Sequence, residues 1–170
     1  LLLHLLCIPV VESVPLVTEP HATLHRQPVL VCFVQNVAGA LMRGIDPELE
    51  PRVADISDKM NVGSLEDLAD KSYNIVLGKE LAMALGVTTG DKVTVITPHA
   101  MVTPVGTMPR LKRFSVVGVF EVGMGDYDRN VALLHLQDAA KLMRLEEGVT
   151  GIRLKLQDLF QAPQVSRELA

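Results

Sequence analysis

Between two strand-forming runs, Lys92–Thr97 and Phe114–Phe120, the chain carries a stretch from Pro98 to Arg113 that is too long for an ordinary hairpin connection. Loops joining hairpin strands usually hold about two to five residues. This stretch has no acidic residue, contains Pro98, Pro104 and Pro109, and carries Met101, Val102, Val105 and Met108. Proline lowers the entropy lost on ordering and blocks regular sheet pairing. Two readings follow. The segment folds back over its own domain, or it projects as a stiff apolar arm with Pro104-Val105-Gly106 at or near its tip. In the second reading Met101 and Met108 adapt to an irregular partner surface. Arg110, Lys112 and Arg113 at the base then add orientation and faster encounter. Either way the segment speaks of packing or binding, not of catalysis.

The remainder reads as a folded α/β chain. At 170 residues, 48% apolar and 21% charged, it is long enough and apolar enough to bury a core, which argues against global disorder. A formal charge of −4 leaves no basic excess for nucleic-acid binding. Leu1–Ile8 is strongly apolar but too short to span a bilayer, and it lacks the initiator Met and basic flank of a signal peptide. The chain is therefore expected to begin inside a longer protein, with this run as a core strand or helix. Cys7 and Cys32 are read either as one disulfide or as unpaired small apolar residues.

Short β-prone runs are expected at Val10–Val17, at Val29–Val34 (apolar on both faces) and at Ala38–Arg43, separated by Pro15, Pro20 and Pro28. Ser64 and Asp67 form a weak capping box opening one or two helical turns. Tyr73–Leu77 reads as a strand, Lys79–Leu85 as a helix capped by Gly86, and Gly123–Asp128 as a flexible connector. Val131–Leu134 reads as a strand, and Leu136–Leu145 as a helix ended by Gly148. In Thr150–Leu156, Ile152, Leu154 and Leu156 alternate with a wet face of Arg153 and Lys155, and a last helix starts near Pro163. The fold class is mixed α/β (α+β): two small lobes, one inserted in the other, with a long protruding β-hairpin. Residues 1–72 form the first part of an outer lobe, 73–122 an inserted β-rich lobe carrying hairpin 98–112, and 123–170 the second part of the outer lobe.

Catalytic and metal patterns are weak. Asp126 and Asp128 flank Tyr127 in a glycine-bearing loop, but the further oxygen ligands of a calcium loop are missing, so both read as solvated turn residues. His21 and His25 are four apart without an HExxH motif, and His4, His99 and His135 read as surface or edge residues. Ser115 lies in no nucleophile elbow, and Lys79 follows Gly78 without a phosphate-binding loop. No metal or cofactor is expected, nor an enzyme. The competing reading, an enzyme with a loop lid, needs a polar pocket beneath residues 98–113.

Several stretches also carry a family resemblance. They are Met42–Pro47, Ile75–Ala82, Leu85-Gly86-Val87, Gly90–Val93, Phe114–Phe120, Tyr127-Asp128, Leu136–Leu142 and Thr150–Leu154, together with Thr103–Pro109. In this order and spacing, over about residues 38–170, the chain resembles the periplasmic domain of the membrane subunits of bacterial lipoprotein-releasing ABC transporters, the LolC/LolE type. The resemblance implies a MacB-like periplasmic core domain. The resemblance implies an inner-membrane permease of a Gram-negative bacterium. It would work with a sister membrane subunit and a cytoplasmic ATPase, take lipoprotein as substrate, and pass it to a periplasmic lipoprotein carrier. It further implies a hook clasping the carrier, formed by Met101, Val102, Thr103, Pro104, Val105, Gly106, Met108 and Pro109. A pad or steering group would follow at Arg110, Leu111, Lys112 and Arg113. Val105 stands where the family can have methionine, and Leu111 where it can have glutamine. The alternative is the domain of the sister subunit, or of a macrolide-exporter-type permease, which does not bind the carrier.

Overall fold

The computed structural model describes residues 2–6, 21–103, 106–145, 149–156 and 158–168. In chain order the elements are β1 (Leu2–Leu6), β2 (His21–Phe33), β3 (Asn36–Ile45), α1 (Glu50–Val53), β4 (Met60–Val62), β5 (Asn74–Gly78) and α2 (Lys79–Leu85). There follow β6 (Lys92–Thr103), β7 (Gly106–Phe120), α3 (Gly125–Asn130), β8 (Val131–His135), α4 (Leu136–Met143), β9 (Gly151–Lys155) and α5 (Ala162–Glu168). The strands are linked by hydrogen bonds in the order β1-β9-β2-β3-β8-β5-β7-β4, with β6 joined to both β2 and β7. Strands β3 and β8 pair in parallel, as do β5 and β7, and the other pairs are antiparallel. The mixed α/β class expected from the sequence is therefore observed.

Strand alternation distributes the apolar side chains between two cores. Ile75 and Leu77 of β5, Ala132 and Leu134 of β8, and Phe114 and Val116 of β7 join Leu81 and Leu85 of α2 in the larger one. Val76, Val131, Leu133 and Phe120 point the other way and meet Ile45, Ile56, Leu65 and Leu68. Strands β5 and β8 are thus covered on both faces and carry almost no polar residue.

Local signals act as the sequence suggests in several places. Helix α2 occupies the expected residues, and Gly86 ends it in the left-handed conformation with φ 71°. Ser64 and Asp67 make a reciprocal capping box around the single 3₁₀ turn Leu65–Asp67. The apolar N-terminal run contributes β1, paired with β9.

Elsewhere the fold corrects the sequence reading. Pro28 does not break β2, which continues through it paired opposite Leu41. The outer edge of β2 bonds β9 at residues 21–24 and β6 at residues 30–32, leaving a gap between. The Arg26 N–H points into that gap, to Thr150 Oγ1 at 2.9 Å, and the proline two residues on faces the same edge, where a missing donor costs no ladder bond. The run Val29–Val34 is not covered on both faces: Val29 and Val31 are buried, but Leu30 is exposed and Val34 sits in the turn to β3 with φ 53°. Gly123–Asp128 is not simply a connector, because α3 starts at Gly125. Helix α4 stops at Arg144, itself left-handed, before Gly148 is reached. The strand expected at Val10–Val17 and the stop at Gly148 lie outside the described residues.

Two buried aspartates hold loops rather than facing water. Asp128, expected to be solvated, is 3% exposed and accepts the backbone N–H groups of Val122 and Gly123 at 2.9 and 3.0 Å. Asp138, fully buried on α4, accepts those of Lys71 and Tyr73 at 3.1 and 3.0 Å. Lys71 and Tyr73 both have positive φ, 61° and 52°, so the turn needs such an outside anchor. Asp138→Ala is expected to lower stability by about 2 kcal/mol by stranding both amides, measurable as a lower thermal midpoint, with Asp138→Asn falling between.

Candidate functional site

The described residues of the sixteen-residue stretch are strand rather than loop. Strands β6 and β7 run through it as one antiparallel hairpin, and their ladder continues to Met101↔Met108, Val102↔Thr107 and Thr103↔Gly106. Pro104 and Val105, which the sequence reading puts at the tip, lie outside the described residues. Sequence reasoning took the prolines as ending the strands; the register explains why they do not. Pro98 falls in an irregularity between Thr97 and Ala100, where the ladder shifts, and Pro109 stands opposite Ala100. Beyond the shift each strand has one neighbour among the described residues, so a proline can turn its donor-less edge outward.

The root of the hairpin is held differently. Thr94, Val95 and Ile96 of β6 pair with β7 on one side and with Cys32, Val31 and Leu30 of β2 on the other. The boundary between a three-stranded root and a two-stranded arm therefore falls at Thr97–Ala100. Cys32, half-buried in this root, is a free thiol, while Cys7 lies outside the described residues.

The expected pad residues all sit at the root, opposite β6. Leu111 is 63% exposed. Lys112 Nζ lies 3.6 Å from the centroid of the Tyr73 ring, a cation–π contact that fixes its ammonium near β5. Arg113 is exposed, and Arg110 is half-buried with a Nε that has no acceptor. The four thus divide into an apolar knob, an anchored lysine and two arginines with unlike surroundings.

Beside the root lies an open cavity of about 880 Å³. Pro28, Leu30, Leu41, Ile96, Pro98 and Pro109 contribute to its wall, which is apolar or glycine except at Thr97 and Asn130. Thr97 is buried, and its hydroxyl has no partner. This wall escaped sequence reasoning because β2, β3 and the hairpin supply it from distant parts of the chain. No local motif marks Leu30 or Leu41, although the apolar excess of Val29–Val34 was a partial signal. The convergent polar side chains that a lidded enzyme pocket needs are not among the described wall residues.

The other candidates take structural places. His135 caps α4, its Nδ1 accepting the Gln137 N–H at 3.2 Å. Lys79 pairs with Glu121 at 2.8 Å; the bonds from Asn61 and Lys79 hold the Glu121 carboxyl below its ordinary pKa. Asp126 is exposed on α3. Among the described residues no cluster of His, Cys, Asp and Glu could hold a metal ion, and no helix is long and apolar enough to cross a membrane.

Residues 7–170 match the family described as MacB-like periplasmic core domain. The chain belongs to that family. Within the MacB-like family, the chain is 51% identical over 131 residues to the lipoprotein-releasing system transmembrane protein LolC of Xylella fastidiosa, covering 77% of this chain and 32% of that protein. It is 47% identical over 140 residues to the LolC protein of Neisseria meningitidis serogroup B, covering 82% and 34%. The chain thus spans about a third of the length of these relatives. The crystal structure of the periplasmic region of MacB from Actinobacillus actinomycetemcomitans superposes with a TM-score of 0.53 at 17% identity, over 88% of this chain and 64% of that one. That likeness establishes the fold. Together these relatives bear out the resemblance read from the sequence, a MacB-like periplasmic domain of the LolC type.

Proposed function

We propose that this chain is the non-catalytic periplasmic domain of an inner-membrane ABC permease that releases lipoproteins, and that hairpin 98–112 is a hook for the periplasmic lipoprotein carrier. The observation that carries the reading is the two-stranded arm itself: a ladder that leaves the sheet at Thr97–Ala100 and continues to Thr103↔Gly106. The arm's sequence from Met101 to Pro109 is apolar and proline-bearing. A stiff ribbon loses less entropy when a partner closes on it. The apolar cavity at its root would receive a partner side chain, with the exposed Leu111, paired opposite Ile96, adding apolar contact and Arg113 steering approach. On this reading residues 73–122 form the lobe that presents the hook, while 1–72 and 123–170 make the lobe that joins the rest of the permease. The sister subunit and ATPase would be met through that longer protein.

The test is Val105→Glu, measured by biolayer interferometry against purified carrier. A charge placed at the centre of an apolar contact is expected to weaken binding by at least about thirtyfold, roughly 2 kcal/mol. The circular dichroism spectrum should not change. Equal affinity for both proteins would remove the hook assignment. Absence of carrier binding by the unmodified domain would favour the sister-subunit or exporter type.

A further inference from the structure

We infer that a second, cationic cavity, lined by Tyr127 and two buried arginines, is a binding site for a phosphate group carried on an organic body. The cavity has a volume of about 470 Å³. Arg43 of β3 and Arg153 of β9 line it, although they are only 7% and 1% exposed. A strand reading that counts Arg153 on a wet face is thereby corrected: the side chain is buried and bonded to Glu50 of α1. Arg43 donates through one terminal nitrogen to the Tyr127 hydroxyl at 2.9 Å, and its guanidinium carbon stands 4.9 Å from the centroid of that ring. These contacts leave both arginines incomplete. The Nε of Arg43 and the Nε of Arg153 are buried and have no acceptor, and the Oε1 of Glu50, beside Arg153, has no donor. A buried donor without an acceptor is rare in folded proteins and costly to keep.

Charge points the same way. Lys59 and Lys155 complete the cationic lining, against Asp55 on the wall and Glu50 behind Arg153. Asp55 is exposed and engaged with Lys155 at 3.6 Å. Arg26 stands opposite Arg43 on the neighbouring strand. Burial lowers the pKa of Arg43, and Arg26 lowers it further. Burial and then Arg43 bring Arg153 down to about 10. A chain with an overall charge of −4 thus concentrates positive charge in one partly closed space. Guanidinium groups suit tetrahedral oxyanions because their N–H donors form a planar fork. Val53, Ile56 and Met124 supply apolar wall beside them, which suits the carbon body of an organic phosphate better than a bare ion. Neither the hairpin nor its partner enters this argument, so the site stands or falls separately from the docking reading.

The experiment follows the arginine Nε–H signals of the 15N-labelled chain in proton–nitrogen correlation spectra, at constant ionic strength. Inorganic phosphate and glycerol phosphate are titrated in separate series, with chloride as control. Saturable shifts of the Arg43 and Arg153 Nε–H signals are expected, tighter for glycerol phosphate. They should be lost in Arg43→Gln. In Lys155→Ala, which alters only an exposed side chain at the cavity, binding should weaken several-fold. Sedimentation with phosphatidylglycerol vesicles, against phosphatidylcholine vesicles, separates the two sources. Pelleting that depends on Arg43 assigns a lipid headgroup, and saturable binding without pelleting assigns a soluble organic phosphate. No saturable shift at either Nε–H up to about 10 mM ligand overturns the site. So does an unchanged titration in Lys155→Ala, a result that stands even where Arg43→Gln fails to fold.

Discussion

Glu50→Ala is expected to destabilise the domain by about 3–5 kcal/mol, the usual result of removing one partner from a buried ion pair. Glu50 is fully buried in the single turn of α1, and its carboxylate bonds Arg153 of β9. Removing it leaves the Arg153 guanidinium in the interior with Arg43 as a neighbouring like charge. Domains of this size have total stabilities of about 5–15 kcal/mol, so the loss is a large share. Urea unfolding should show a lower midpoint with an unchanged slope. Glu50→Gln keeps an acceptor but not the charge and should fall between. A midpoint for Glu50→Ala within about 0.5 kcal/mol of the parent would mean that the pair contributes nothing net.

The second large effect concerns a glycine with an ordinary backbone. Gly78 ends β5 and caps α2 with φ −64° and ψ 148°, values open to any residue. Its constraint is space. A Cβ there would lie 2.1 Å from the carbonyl oxygen of Asp128 and 2.7 Å from its carbonyl carbon, both backbone atoms that no rotamer change can move. Relief requires α3 to shift away from α2, but Asp128 is tied by its carboxylate to the amides of Val122 and Gly123. Gly78→Ala is therefore expected to cost about 3 kcal/mol or more and to reduce the yield of folded protein. Gly39→Ala is the control. That glycine lies on β3 with nothing within 4 Å of its would-be Cβ, and the change should be neutral or slightly stabilising by unfolding midpoint.

What could be read from the sequence divides along physical lines. Helix α2, its glycine cap and the Ser64–Asp67 box were legible because each is decided within a turn of chain. The uninterrupted β5 and β8 were legible because strands covered on both faces leave apolar runs. Pro28 misled because its tolerance depends on which edge of β2 lacks a partner, a fact supplied by β6 and β9. Arg153 misled because alternation assigns a charged residue to the wet face, while the fold brings Glu50 to it from a hundred positions away. Asp128 reads as a solvated turn acid, and Asp138 as one more polar residue beside the apolar stripe of its helix, until the loops they anchor are in place. For the candidate hook, composition flagged the segment, but pairing of Met101 with Met108 is a matter of register, and the apolar cavity beside its root belongs to no single segment.

The change in strand support at Thr97–Ala100 has a mechanical consequence. Among the described residues, strand β6 is fixed along both edges at Thr94–Ile96 and along one edge beyond, like a beam built into a wall at one end. Sideways force on the free end concentrates its bending moment where the second support stops, and there the ladder already shifts register. Deflection would therefore be taken up at that joint, while the load passes into β2 and β7 together. An arm so mounted can deflect without disturbing Val93, Val95 and Phe114 in the core beneath it.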